Sequence, residues 1–286
     1  MKKIYLFLLI IVAINFSSCK EEKLEGSIFD TSAPERDAFD RWLVENYVYP
    51  YNIDFKYRME DIESDIDYEL TPADLDKSKM LAVIVKYLWL ESYDEVAGIE
   101  FTRKYVPKII HLVGSPAYNV NGSIVLGTAE GGLKVTLYMV NELTLNAELL
   151  NRYYFRTMHH EFAHILHQTK HYDPDFKRIS DGYYIGDNWI NQSDAAALQA
   201  GFITPYGQSA VDEDFVEIIA NFVTHNQTWW NTQLAVAGAN GSSILNKKLD
   251  MIKEYLQNSW NVDLYELRDV VQRRTGEVPQ LDFNKF

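Results

Sequence analysis

The residues best suited to chemistry are His160, Glu161 and His164, in the run His160-Glu161-Phe162-Ala163-His164. On a helix, positions four apart differ by about 40° around the axis and about one turn along it. His160 and His164 then aim two imidazoles at one point, which suits a divalent ion such as Zn2+. Glu161 lies beside that point, where a carboxylate can take a proton from a water. A bare HExxH is a weak signal, so its flanks matter. Leu150, Tyr153, Tyr154, Met158, Phe162, Ala163, Ile165 and Leu166 make the helix apolar nearly all round. Such a helix is buried, and buried imidazoles need partners.

Four of the seven histidines fall between His159 and His167. His159 points about 100° away from the pair and reads as structural. His167 shares the face of His160 and His164 but lies about 7.5 Å along the axis from their midpoint. It reads as a residue that backs a ligand or lines the groove. A third ligand three residues further on would need the metzincin pattern HExxHxxGxxH. Here the glycine position holds His167 and the last histidine position holds Lys170, so both conditions fail. His171 is one residue off register and reads as a loop residue. His111 and His225 read as structural.

The third ligand must therefore come from elsewhere, with one position left open for water. The run Val211–Val223 is strongly apolar yet carries Glu213 and Glu217, four apart and on one face. Two carboxylates on a buried face are costly unless cations or hydrogen bonds compensate them. Glu213 could bind the metal while Glu217 accepts the second N–H of a ligand histidine. Asp214 is the alternative ligand, and a surface pair facing Lys or Arg is the alternative reading of both glutamates.

These residues need a scaffold, and 286 residues with 47% apolar content can supply one. Aromatic content of 14%, with 19 Tyr and 6 Trp, suits thick cores and groove walls. A net charge of −14 and no Lys/Arg-rich run argue against nucleic-acid binding. A first helix is predicted from Pro34, with Phe39, Leu43 and Tyr47 spaced by four. Ile53–Met59 alternates as a strand, and Thr71–Gly98 reads as a capped helix. Lys108–Ser115, Gly122–Ala129 and Lys134–Val140 read as strands between glycine-rich turns. Asn146 caps a helix running through Gln168, and His171–Gln192 is loop-rich. Further helices are predicted at Val211–His225, Ser242–Trp260 and Val262–Arg273. The fold class is α+β: one domain over 34–286, with an α+β lobe to about residue 170 and a helical lobe over 171–286 facing it across a cleft. Lys134–Val140 is expected to border that cleft and pair with an extended substrate.

Residues 1–18 read as an export signal: Lys2 and Lys3, then an apolar run from Ile4 to Phe16 that is short for a membrane span. Cys19 is the chain's one cysteine. After Ser17-Ser18 it looks like a lipobox cysteine, followed by a polar tether over 19–33. Phe16 stands where that pattern usually has Leu. Lys20-Glu21-Glu22 is similar to the surface-export signal of Bacteroidetes lipoproteins.

HExxH followed by a later helix of the form ExxxE with an internal aromatic resembles the gluzincin branch of zinc peptidases. The anthrax lethal-factor-like members place a tyrosine seven residues before the glutamate ligand, a position held here by Tyr206. The resemblance implies that its hydroxyl donates to the oxyanion of a tetrahedral intermediate. A closer resemblance, over the lipobox, "HHEFAHILHQ", "GFITPYG" and "DEDFVE", is to the putative zinc-binding metallopeptidase lipoproteins of Bacteroidetes, described as substrate-import-associated metallohydrolases. It implies a zincin-like fold, one Zn2+, outer-membrane uptake components as partners, and a lipid-anchored place in the outer membrane. The expected activity is hydrolysis of a peptide or amide bond, with Glu161 as general base. Two alternatives stand beside it. One is a zinc amidase acting on glycan- or peptidoglycan-derived substrates, and the other is a substrate-binding lipoprotein that cleaves nothing.

Overall fold

The computed structural model describes residues 35–286 except 61, 63, 65, 66, 119–123, 126 and 131. The export signal, Cys19 and the tether lie outside the described residues. From Ala38 to Phe286 the chain forms one compact unit.

The first helix, α1, starts at Ala38–Leu43 and continues through a π-helical turn at Val44–Val48 and a last turn at Tyr49–Tyr51. The spacing of Phe39, Leu43 and Tyr47 puts all three in the core. α2 starts at Leu75–Val85, passes through a π turn at Lys86–Leu90, and ends at Glu91–Ala97. Asp74 caps it by accepting from the Lys77 N–H at 2.9 Å. Gly98, at φ 86°, ends it and starts α3, Ile99–Tyr105.

The main sheet comprises β1 (Asp54–Lys56), β2 (Ile109–Leu112), β5 (Gly127–Glu130) and β6 (Lys134–Leu137), in the order β1-β2-β6-β5. β1, β2 and β6 are parallel, with Phe55 opposite Ile110 and Ile110 opposite Val135, and β5 is antiparallel to β6. A separate hairpin pairs β3 (Ala117–Tyr118) with β4 (Ile124–Val125). The strand expected to take an extended substrate, β6, has neighbours on both sides, so its backbone groups are already used. The edge on that side is β5, which packs against the histidine helix. Every residue of β6 is buried, as a strand covered on both faces requires.

That helix, α4, starts at Ala147–Leu150, passes through a π turn at Asn151–Phe155, and runs on as Arg156–Thr169. The sequence predicts one uniform helix here. The cap is where it was expected, Asn146 accepting from the Leu149 N–H at 3.1 Å. The π turn holds one extra residue, which shifts the apolar face before the histidines begin. Short helices α5 (Asp175–Ile179) and α6 (Asp194–Gln199) break up the loop-rich stretch. α7, Val211–Thr224, packs along α4 and buries Asp214 through Thr224.

α8 spans Gln227–Trp260, fifteen residues earlier at its start than the sequence suggested. Glycines at 238 and 241 lie in that added stretch. Gly238 does break the helix, at φ 67° and ψ −174°, but helix resumes after it. Gly241 lies against α6: a Cβ there would come within 2.2 Å of the Leu198 carbonyl oxygen. α9, Leu264–Glu277, is capped by Asp263 and closes the core with Leu264, Leu267 and Val271. Under α4, Phe162 meets Trp89 and Tyr93 edge-on at 5.7 and 4.8 Å. No helix among the described residues is long and apolar enough to cross a membrane.

Candidate metal centre

One turn of α4 carries His160 and His164 on the same side, with ring centroids 4.8 Å apart. The first turn of α7 carries Glu213 toward them. One Glu213 oxygen lies 3.1 Å from His160 Nε2 and 3.3 Å from His164 Nε2. One donor atom from each residue falls within 4.8 Å of the others. No other such cluster of metal-binding side chains occurs among the described residues.

Each imidazole is held from behind. His160 Nδ1 donates to Glu217 Oε1 at 2.9 Å, which turns Nε2 toward Glu213. The other Glu217 oxygen accepts from Thr204 Oγ1 at 2.6 Å and from Asn221 Nδ2 at 3.3 Å. His164 Nδ1 lies 2.9 Å from His167 Nε2. His167 also lines a cavity of about 460 Å3 with His171, Tyr172, Lys177, Val211 and Asp212. The ring of Tyr206 is 5.9 Å from that of His160, burial and the nearby Glu213 and Glu217 carboxylates raise its pKa, and the residue is 37% exposed. Trp189 packs edge-on against it at 5.1 Å.

His159 points into the core, where Nδ1 meets the Tyr93 hydroxyl at 2.9 Å. Burial drives its pKa down to about 3, so it stays neutral. Asp214, the alternative ligand, turns away from the histidines. It lies fully buried, 2.7 Å from Lys248 Nζ, and accepts from the Tyr184 hydroxyl at 3.0 Å. Lys248 also donates to the Gly201 carbonyl at 2.7 Å and sits over the Phe202 ring. This pair ties α7, α8 and the segment before Tyr206 together.

Thr204, Asn221, Tyr184 and Lys248 were not singled out in the sequence. Asn221 was within reach of the same argument, standing one turn beyond Glu217 on the same face. Lys248 also leaves a signal, since it shares an apolar helix face with Leu245, Leu249 and Ile252 and so needs a buried anion. Thr204 leaves none, because its partner is on another element.

The charges around the centre are strongly coupled. Burial alone would lower the His160 pKa, but hydrogen bonds to Glu213 and Glu217 outweigh it and raise it to about 10. Glu213 and Glu217 are held well below the ordinary carboxylate range despite burial, chiefly by their bonds to His160. Burial pushes Glu161 up, against the pull of His160 and His164. In this arrangement a protonated His160 balances the two carboxylates, and a bound cation could take that place.

The donors fit zinc. Ligand bonds of about 2.0–2.2 Å at tetrahedral angles separate neighbouring donor atoms by about 3.3 Å. The two distances from Glu213 to the imidazole nitrogens, 3.1 and 3.3 Å, match that spacing. Two nitrogens and one carboxylate oxygen also form a borderline-soft set that suits Zn2+ better than Ca2+ or Mg2+.

A pH dependence follows for the chain treated with chelator. His160 has a folded pKa raised from 6.5 to about 10, so its contribution is complete below pH 6.5 and fades as pH rises through 10. Glu213 and Glu217 are depressed from 4.5, so theirs is present above that value and fades as pH falls. Thermal unfolding in chelator should therefore give the highest Tm between about pH 4.5 and 6.5, with a decline up to pH 10. Added zinc should flatten the alkaline decline. A Tm unchanged from pH 6.5 to 10 in chelator would contradict the coupling of His160 to the two glutamates.

The family model described as putative zinc-binding metallo-peptidase matches residues 32–265. Among solved structures, the chain is similar to a crystal structure of a putative zinc-binding metallo-peptidase from Bacteroides caccae ATCC 43185. The two share 50% sequence identity over 90% of this chain and 99% of the other, with a TM-score of 0.78. No curated protein matches the chain.

Proposed function

Because the chain belongs to the putative zinc-binding metallo-peptidase family, we propose that it hydrolyses peptide or amide bonds with one zinc ion held by His160, His164 and Glu213. The observation carrying this reading is the convergence of those three donors within 4.8 Å, with Glu161 next to His160 on the same helix.

A bound zinc ion supplies Lewis acidity and brings the pKa of a water in its open position toward 7. Glu161 accepts the proton of the attacking water and passes it to the leaving amine. Its upward-shifted pKa suits both halves of that task near neutral pH. Tyr206 donates its hydroxyl to the substrate carbonyl oxygen as negative charge builds there. Its ring lies beside His160, within reach of the reacting carbonyl. Glu217 keeps the Nδ1 proton of His160 in place, and His167 does the same for His164, so both rings present Nε2. An extended substrate would add to the sheet at β5, the edge strand against α4, rather than at β6.

This ligand set is that of a gluzincin, and we assign the chain to that branch. With Cys19 as a lipidated residue, it would work at the cell envelope as an outer-membrane lipoprotein. Uptake components would be its partners and a nutrient-derived peptide or amide its substrate. The test uses purified chain beginning at residue 20. Zinc should be present at one ion per chain, and a mixed peptide library should show cleavage that a chelator abolishes and zinc restores. Stoichiometric zinc with no cleaved peptide would overturn the peptidase reading and favour an amidase on non-peptide substrates or a binding role.

A further inference from the structure

We propose that Thr204 is a positioning residue that sets the metal ligand His160 and the Tyr206 hydroxyl in one frame. The inference rests on the metal and oxyanion roles given above and extends them to a side chain neither requires.

The geometry fixes the direction of each proton. The Gly207 amide reaches Thr204 Oγ1 at 3.2 Å, and an amide N–H can only donate. The threonine hydroxyl therefore accepts from Gly207 and directs its own proton at Glu217 Oε2, 2.6 Å away. The opposite oxygen of Glu217 takes the His160 Nδ1 proton at 2.9 Å. A continuous chain of hydrogen bonds thus runs from the backbone just after Tyr206 to the ring of His160.

Other bonds shape the Tyr206 turn without tying it to the metal helices. Gln208 N donates to the Pro205 carbonyl, and Ser209 N to the Tyr206 carbonyl, both at 2.9 Å. These close the turn on itself. Ile185 N donates to the Gln208 carbonyl at 2.8 Å, anchoring it to a preceding loop. The Thr204 hydroxyl thus joins the backbone of residues 204–209 to a carboxylate that touches a histidine of the centre. Pro205 fixes the backbone between Thr204 and Tyr206, so movement at Thr204 passes to the tyrosine.

Removing the hydroxyl therefore disturbs two things together. Glu217 keeps only Asn221, at 3.3 Å, as a side-chain donor to Oε2, and the Gly207 amide loses its acceptor. A residue that merely stabilised the loop would lower Tm without altering zinc affinity. A residue that acts only on the metal would leave the contribution of Tyr206 unchanged.

The test compares wild type, Thr204→Val, Thr204→Ser, Tyr206→Phe and the Thr204→Val/Tyr206→Phe double variant. Zinc affinity is measured by competition with a chromogenic chelator, and kcat and KM on a peptide cleaved by wild type. Thr204→Val should bind zinc about tenfold more weakly, at the lower end of effects for groups backing a metal ligand. At saturating zinc, kcat should fall about tenfold with KM little changed, and Thr204→Ser should restore both. In the Tyr206→Phe background the same valine substitution should cost less than threefold in kcat, because no hydroxyl remains to be misplaced. Thr204→Ala carries the test if the valine variant does not fold. The proposal is overturned if zinc affinity stays within twofold of wild type, or if the valine and phenylalanine effects on kcat simply multiply. If wild type binds zinc but cleaves nothing, the peptidase reading fails while the affinity measurement still decides the link between Thr204 and His160.

Discussion

Glu161→Gln should keep zinc binding and lose hydrolysis, with kcat/KM lower by roughly 10²–10⁴. Glutamine has the shape of glutamate but cannot accept a proton at neutral pH. Glu161 is not among the three converging donors, so metal content should be unchanged. Its neighbours His160 and His164 pull its pKa down while burial pushes it up. The variant should also lose the acidic limb of the pH–rate profile, because the group that must be deprotonated is gone. Metal analysis and steady-state kinetics on the same preparation provide the measurement. Cleavage at the wild-type rate would show that another group takes the proton.

The second large effect is at the metal itself. Glu213→Gln should weaken zinc binding by at least about a hundredfold. Structural zinc sites with four protein ligands bind with about 10–16 kcal/mol, or about 3 kcal/mol per ligand. A neutral amide oxygen retains little of the anionic share. Glu213 meets both histidines through one oxygen, at 3.1 and 3.3 Å, so its loss removes the anionic donor they share. Asp214→Asn is the informative control. It should leave zinc affinity within about threefold of wild type but lower the stability of the fold by about 3–5 kcal/mol, because Lys248 would remain buried without its anion. Chelator competition and chemical denaturation read the two effects separately. If Asp214→Asn lost zinc and Glu213→Gln kept it, the ligand assignment would be reversed.

The sequence revealed this site unevenly, for physical reasons. His160 and His164 were legible because helical periodicity is local: four residues return a side chain to the same face. Glu213 was legible as a cost, a charge on an apolar helix face that something must neutralise. Choosing it over Asp214 needed the rotation of about 100° between neighbours, and then the partner that occupies Asp214, which is Lys248 on α8. No local rule names that partner. Thr204 was invisible for the same reason, since its meaning depends on Glu217 on another element.

The fold was legible to a similar depth. The cap at Asn146 marked a helix start because its side chain satisfies a nearby amide. Strand order was not readable: β6 ends up between β2 and β5, and pairing between distant segments leaves little trace in either strand alone. The π turns escaped because a 3.6-residue period is assumed to continue unbroken. The helix before Ser242 was not predicted; it carries Gly238, which interrupts α8 without ending it.

The distance along the chain between the two halves of the metal centre has a consequence in polymer terms. An ion joining His164 to Glu213 cross-links the chain across a loop of roughly fifty residues, a constraint worth about 4 kcal/mol by loop-closure entropy if the link were permanent. With one cysteine in its sequence, this chain can form no internal disulfide. The metal would serve as its reversible staple, closing around the segment that holds Tyr184, Thr204 and Tyr206.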